Sequence, residues 1–306
     1  MRVMSPLRGR TLAVYLFLCA VWGSTWMVIK IGLEYLPPLF FAAVRMAIAC
    51  LVLVPLAFRS GAAWPTRRER RFIALSGLFQ IAAFYALIFL AEQWIDSGLA
   101  ALLFAIFPIC AAVFAHFLLP NEPITPTTVA AAGLGLAGVA LIQAPALARA
   151  AGAQSTALLR GGALVFAAAL VASWSNVLVK KHLGGVDPAR NVWGQTLVAT
   201  VVLFAVSSAF ERGLPARWTA GAWASVLYLA IIGTAATFVG LFWLMKRVTV
   251  FLVATIPLVD TLIAVILGNV ILHERFSARI LFGGALILLG VVLAARTSHS
   301  EAAAGA

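Results

Sequence analysis

A few side chains in this sequence have the chemistry to hold a small polar molecule, and they sit inside long apolar runs where such groups are rare. Asp260 lies about 15 Å into its run by helical rise. A carboxylate at that depth in hydrocarbon costs roughly 2.5–3.5 kcal/mol, so it must be protonated, paired or water-facing. It offers a partner for a substrate amine or a coupling proton; the alternative is a protonated packing group bonded to a neighbouring helix. Arg45 lies about 10 Å inside its run, and its planar guanidinium suits a two-point grip on a carboxylate. A structural pair with Glu34, Glu92 or Asp96 is the competing reading. Trp22, Trp26 and Trp174 also lie within runs and offer broad apolar plates with one N–H each, suited to an aromatic substrate or to plain helix packing. Gln80, Tyr85, Asn176, Gln195 and Thr237 are uncharged polar groups able to bind the ends of an amino acid, or to bond helix to helix. Pro108 and Pro257 interrupt backbone bonding within runs and are the candidate bending points.

The chemistry that is missing is equally informative. His182, His273 and His299 fall at run ends or in the tail, which leaves His116 alone inside a run as a second proton carrier. There is no His-Glu-x-x-His, no Gly-x-Ser-x-Gly and no Walker-type loop, so neither an intramembrane enzyme nor an ATPase is supported. Cys19, Cys50 and Cys110 lie in apolar runs and read as small packing residues. No metal and no cofactor are expected. A channel would need rings of charge or a repeated filter segment, and none is present. A purely structural membrane protein would leave Asp260 without a purpose.

The elements that must position these groups follow from composition. Of 306 residues, 63% are apolar and 10% charged, with a mean hydropathy of +1.05. A soluble domain carries about 25% charged residues, so this chain cannot cover a water-facing surface. Continuous runs also exclude the alternating strands of a membrane barrel. The runs predict ten helical spans: Thr11 to Leu33, Pro38 to Phe58, Arg71 to Ala91, Ser97 to Leu119, Thr127 to Gln143, Arg160 to Lys181, Pro188 to Phe210, Ala220 to Met245, Thr249 to Leu272 and Phe276 to Ala295. The first, with Trp22 and Trp26 where a cleavage site would need small residues, reads as an uncleaved span. Trp64, Trp94, Trp218 and Trp223 fall at span ends as interfacial anchors, and Lys30 reads as snorkelling to the surface.

The net charge of +12 belongs to the loops rather than to nucleic acid. With the N-terminus inside, 14 Lys and Arg fall in cytoplasmic segments and 6 outside, so both termini are expected to be cytoplasmic. A shift of 150 residues sets Lys30 on Lys180, Pro38 on Pro188 and Arg45 on Gln195; a shift of 149 sets Pro108 on Pro257, and one of 152 sets Glu122 on Glu274 and Gly138 on Gly290. Five spans per half is odd, so two related halves must enter the membrane in opposite directions. The expected fold is therefore an all-α integral membrane protein of ten transmembrane helices, arranged as two inverted five-helix repeats around a central cavity. The repeats are 11–144 and 160–296, joined by the Ala-rich connection 145–159 and followed by a cytoplasmic tail, 297–306.

Trp22-Gly23-Ser24-Thr25 followed by Lys30, Pro38 and Arg45, then Pro108, Asn121-Glu122 and the Gly133, Gly135, Gly138 helix, resemble the EamA family of the drug/metabolite transporter superfamily. The second half repeats the order in Lys180, Pro188, Pro257, His273-Glu274 and Gly283-Gly284 to Gly290. The halves differ at Ala172-Ser173-Trp174 and in the longer interval from Pro257 to Glu274. The likeness runs from about Thr11 to Arg296, and within the family the chain looks like a bacterial YddG-type exporter. The resemblance implies alternating-access export of aromatic and other neutral amino acids from the cytoplasm across the inner membrane, by a monomer whose partners are its small-molecule substrate and the lipid bilayer. Other drug-like or apolar metabolites are the alternative cargo.

Overall fold

The computed structural model describes residues 9–59, 61–95, 97–120, 122–144, 148, 156–263 and 278–304. All regular structure among them is helical: α1 Gly9–Leu33, α2 Pro38–Arg59, α3 Arg67–Ala91, α4 Ser97–Phe104, α5 Phe107–Leu118, α6 Pro126–Ile142, α7 Thr156–Leu183, α8 Pro188–Phe210, α9 Ala220–Met245, α10 Val250–Ile263 and α11 Ala278–Ala304. Among the described residues eight spans, with α4 and α5 together forming one, are long and apolar enough to cross a membrane; α6 and α10 are shorter apolar helices. Most of the 145–159 connection, the ninth span beyond Ile263, His273-Glu274, Phe276, Asp96 and Asn121 lie outside the described residues.

Local chemistry explains the helix starts. Pro38, Pro126 and Pro188 occupy first turns, where a missing N–H breaks nothing. Thr66 and Thr125 form capping boxes with Glu69 and Thr128, and Asp187, Thr219 and Thr249 cap the next helices through their side-chain oxygens. The Thr66 box starts the third span at Arg67 rather than Arg71, and the sixth begins at Thr156 rather than Arg160.

The two halves interleave. Helix α1 packs on α9 as α3 packs on α7, α2 crosses α8, α5 meets α10, and α6 lies along α11. The last pair is held close by small residues: a Cβ added at Gly138 would lie 2.5 Å from the Gly283 carbonyl, and one at Gly290 would lie 2.7 Å from the Ala131 carbonyl. Helices α2 and α8 are tied at both ends. Arg190 donates to the Ala57 carbonyl in the last turn of α2 and to the Ala62 carbonyl beyond it, while the Glu211 carboxylate accepts the Leu39 and Phe40 N–H groups at its start.

The spans are irregular at matching places. Helix α3 widens to a π-helical turn over Gly77–Ala83, and α9 does so over Ile231–Ala236. The fourth span, expected to be continuous, breaks between Phe104 and Phe107, and α10 bends at Thr255. Pro108 and Pro257 follow these breaks directly. They sit in the first turn of a new helical segment, so they remove no backbone bond there, which corrects the expectation of a mid-helix kink.

Candidate functional site

A cavity of about 90 Å³ lies between the halves. Its polar groups are Thr25, Gln80, Tyr85, Asn176 and Asp260, and its walls carry Trp22, Trp26, Phe84, Phe104, Phe107 and Phe238. The rings form a connected set: Trp22 meets Phe238 edge-on at 5.9 Å, Trp26 meets Phe104 at 6.0 Å, and Phe104 contacts both Phe84 and Phe107.

Asp260 is 3% exposed and reaches the cavity from α10. Its approach depends on Gly23, where a Cβ would come within 2.8 Å of the Asp260 carbonyl oxygen. That contact gives the Trp22-Gly23-Ser24 sequence a physical reason: one residue without a side chain lets α10 lie against α1 and sets the Asp260 carboxyl beside the Trp26 indole and the Thr261 hydroxyl. Across the cavity, Gln80 stands on the π-helical turn of α3 and donates to the Asn176 Oδ1 on α7. Its own Oε1 has no hydrogen-bond partner among the described residues. The cavity thus presents a carboxyl and an amide oxygen as acceptors, with indole, amide and phenol groups as donors, inside an aromatic wall.

Arg45, at 1% exposure, does not line this cavity. It lies behind Tyr85, its guanidinium carbon 4.3 Å from the ring centroid, and it donates to the Tyr85 hydroxyl, the Thr234 Oγ1 at 2.9 Å and the Gly233 carbonyl at 3.1 Å. No carboxylate is among these described partners, so the alternative reading of a pair with Glu34 or Glu92 is not met, and Asp96 lies outside the described residues. The acceptors come instead from the π-helical turn of α9, and the Arg45 Nη1 is buried without a partner among the described residues.

The structure therefore gathers Trp22, Trp26, Gln80, Tyr85, Asn176, Pro257 and Asp260 around one space, and leaves Arg45, Pro108, Trp174, Gln195 and Thr237 outside it. Trp174 packs edge-on against Phe79. Gln195 is fully buried against α3 and donates to Asn191, and the Thr237 hydroxyl donates to the Gly233 carbonyl. His116 is exposed in the last turn of α5 and accepts the Ile124 N–H, so it is no deep proton carrier. Lys30, read as snorkelling to the surface, donates to the Glu92 carbonyl at 2.7 Å and so caps the end of α3. Phe84, Phe104, Phe107 and Phe238 were not among the expected site residues. The spacing of Phe84 four residues after Gln80, and the place of Phe107 directly before Pro108, are the signals that point to them.

The EamA-like transporter family model matches residues 10–144 and again 159–296. The chain is 27% identical over 276 residues to the uncharacterized transporter YoaV of Bacillus subtilis strain 168, covering 89% of this chain and 92% of that protein. It is 27% identical over 294 residues to the uncharacterized inner membrane transporter YedA of Escherichia coli K12, covering 95% and 91%. A solved crystal structure superposes with a TM-score of 0.78 at 20% identity over 96% of this chain and 99% of its own, which shows a shared fold. An all-helical membrane architecture of two repeats, matched twice by one family description, leads to one conclusion: this chain belongs to the EamA-like transporter family of multi-pass membrane proteins, which carry small molecules.

Proposed function

We propose that the protein exports aromatic and other neutral amino acids by alternating access, with the central cavity as the substrate site. The observation that carries this reading is an aromatic-walled cavity holding one buried carboxyl. The rings stack on an apolar side chain, Asp260 and the Gln80 oxygen accept from the substrate ammonium, and Asn176, Tyr85 and the indoles of Trp22 and Trp26 supply donors for its other end. Arg45 acts on this site through Tyr85, and Trp174, Gln195 and Thr237 act through the helices that they lock together. The inverted halves, 11–144 and 160–296, rock about the breaks before Pro108 and Pro257. The distribution of Lys and Arg supports cytoplasmic termini, and the name of the YedA relative supports the inner membrane.

An aromatic cavity with one carboxyl among its described lining residues also favours organic amines, which makes them the second class of cargo. Counterflow into vesicles containing purified protein tests both. Phenylalanine, tryptophan and leucine are expected to exchange, and aspartate and lysine are not. Asp260→Asn removes a charge-assisted bond and is expected to lower phenylalanine exchange about ten-fold at unchanged expression and monodispersity. Exchange of phenethylamine but of no amino acid would replace the first reading with the second.

A further inference from the structure

A second space opens one helical turn beyond the central cavity along the same two helices. Asn176 on α7 and Leu241 on α9 line the central cavity; Lys180 on α7 and Phe242, Met245 and Lys246 on α9 line the next one, together with Asn191 at the start of α8. Its volume is about 190 Å³, and no acidic side chain is among its described lining residues.

The polar groups of this space are held in place. Lys180 donates to the Val248 carbonyl and pairs with Glu122 at 2.6 Å, which uses two of the three donors of an ammonium. The Lys246 ammonium is anchored on the Val186 carbonyl. Asn191 is 2% exposed and its Oδ1 is committed to the Gln195 amide, so its remaining polar atom is the Nδ2 donor. Two lysines, one of them paired with Glu122, and an amide donor thus line one small space, while the next space along the path is lined by a carboxyl and an unpartnered amide oxygen.

We propose that this vestibule is a loading subsite for the carboxylate of the substrate, so that the path is polarised for a zwitterion: carboxylate toward Lys180, Lys246 and Asn191, ammonium toward Asp260. The inference rests on the reading of the chain as an amino-acid exporter, and the orientation proposed above puts the vestibule on the cytoplasmic side, where cargo is taken up.

Two measurements test it. In counterflow with substrate titrated on the Lys246 side, Lys246→Met is expected to raise the half-saturating phenylalanine concentration about five-fold, with phenethylamine changed less than two-fold and Lys246→Arg close to the parent protein. An equal shift for both compounds, or none for phenylalanine, overturns the subsite. The second measurement does not depend on transport. In a protein whose Cys19, Cys50 and Cys110 are replaced by alanine, Met245→Cys is expected to react about five-fold faster with an anionic than with a cationic methanethiosulfonate, and adding Lys246→Met abolishes the preference. Equal rates overturn the subsite. Vesicles that exchange no amino acid, combined with the anionic preference at Met245→Cys, defeat the exporter reading and leave an anion subsite standing.

Discussion

The most informative single residue is Arg45, because its surroundings differ from what a buried cation usually requires. It has a ring face, a hydroxyl, a phenol and a carbonyl, with no countercharge among its described contacts. Such a group holds its neighbours firmly, since each hydrogen bond to a charged donor contributes about 1.5–3 kcal/mol. Its effect on substrate is expected to run through Tyr85, whose ring lines the cavity. Arg45→Lys and Tyr85→Phe are each expected to weaken phenylalanine exchange about five- to ten-fold, and the double variant to be little worse than either. Additive losses in a double-mutant cycle of half-saturation would show that Arg45 meets the substrate independently. A lysine has no fork to reach both Thr234 and Gly233, so charge alone does not restore the site.

At the scale of elements, close backbone approach takes the place that hydrophobic burial holds in a soluble protein. Helices α6 and α11 meet through glycines, and their contact has no room for a methyl group. Gly138→Ala and Gly290→Ala are each expected to destabilise the protein by about 1–3 kcal/mol, read as a lower midpoint of thermal unfolding in detergent. Gly133 on the same helix has open space around its Cβ position, so Gly133→Ala is expected to leave the midpoint unchanged or raise it slightly. Equal losses at Gly133 and Gly138 would mean that α6 needs glycine for its backbone rather than for its neighbour. The paired lysines belong to this scale as well. Lys30 caps the end of α3 and Lys180 caps the turn after α9, each closing the third span of its own half. Lys180 adds the ion pair with Glu122, whose other oxygen accepts the Val250 N–H, so the two halves are pinned where α10 begins.

For the whole molecule, the argument turns on which ends face the same compartment. Ala63 and Ala216 are both exposed, in the connections before α3 and before α9. With cytoplasmic termini, Ala63→Cys is expected to react with an impermeant maleimide only in inverted vesicles, and Ala216→Cys only in intact cells. Labelling of both from one side would reverse or abolish the proposed orientation. The matched π-helical turns and matched breaks show that irregularity is built into both halves alike. Gly77 and Gly233 illustrate the point. A Cβ at Gly77 would lie 2.8 Å from the Gln195 carbonyl oxygen, and one at Gly233 would lie 3.4 Å from the Arg45 Nη2. Arg45 and Gln195, which coincide when the halves are overlaid, therefore pack on corresponding turns of the opposite half.

Much of this was legible along the chain, because length, apolarity and turn chemistry act locally. Pro38, Thr125, Asp187 and Pro188 announce helix starts whatever surrounds them, and Asp260 declares itself by depth alone. Rotation about the helix axis was not legible. Helices such as α1 and α6 are apolar on every face, so nothing in their pattern tells which side meets lipid and which meets a neighbour. That choice follows from close contacts such as Gly23 on Asp260, and it decides that Trp26 lines the cavity while Trp174 packs on Phe79, and that Arg45 stands behind Tyr85. One chain thus sets by itself how many rods it makes and where they begin, whereas the phase of each rod is a property of the pairs they form, since only contact between helices distinguishes faces of equal hydrophobicity.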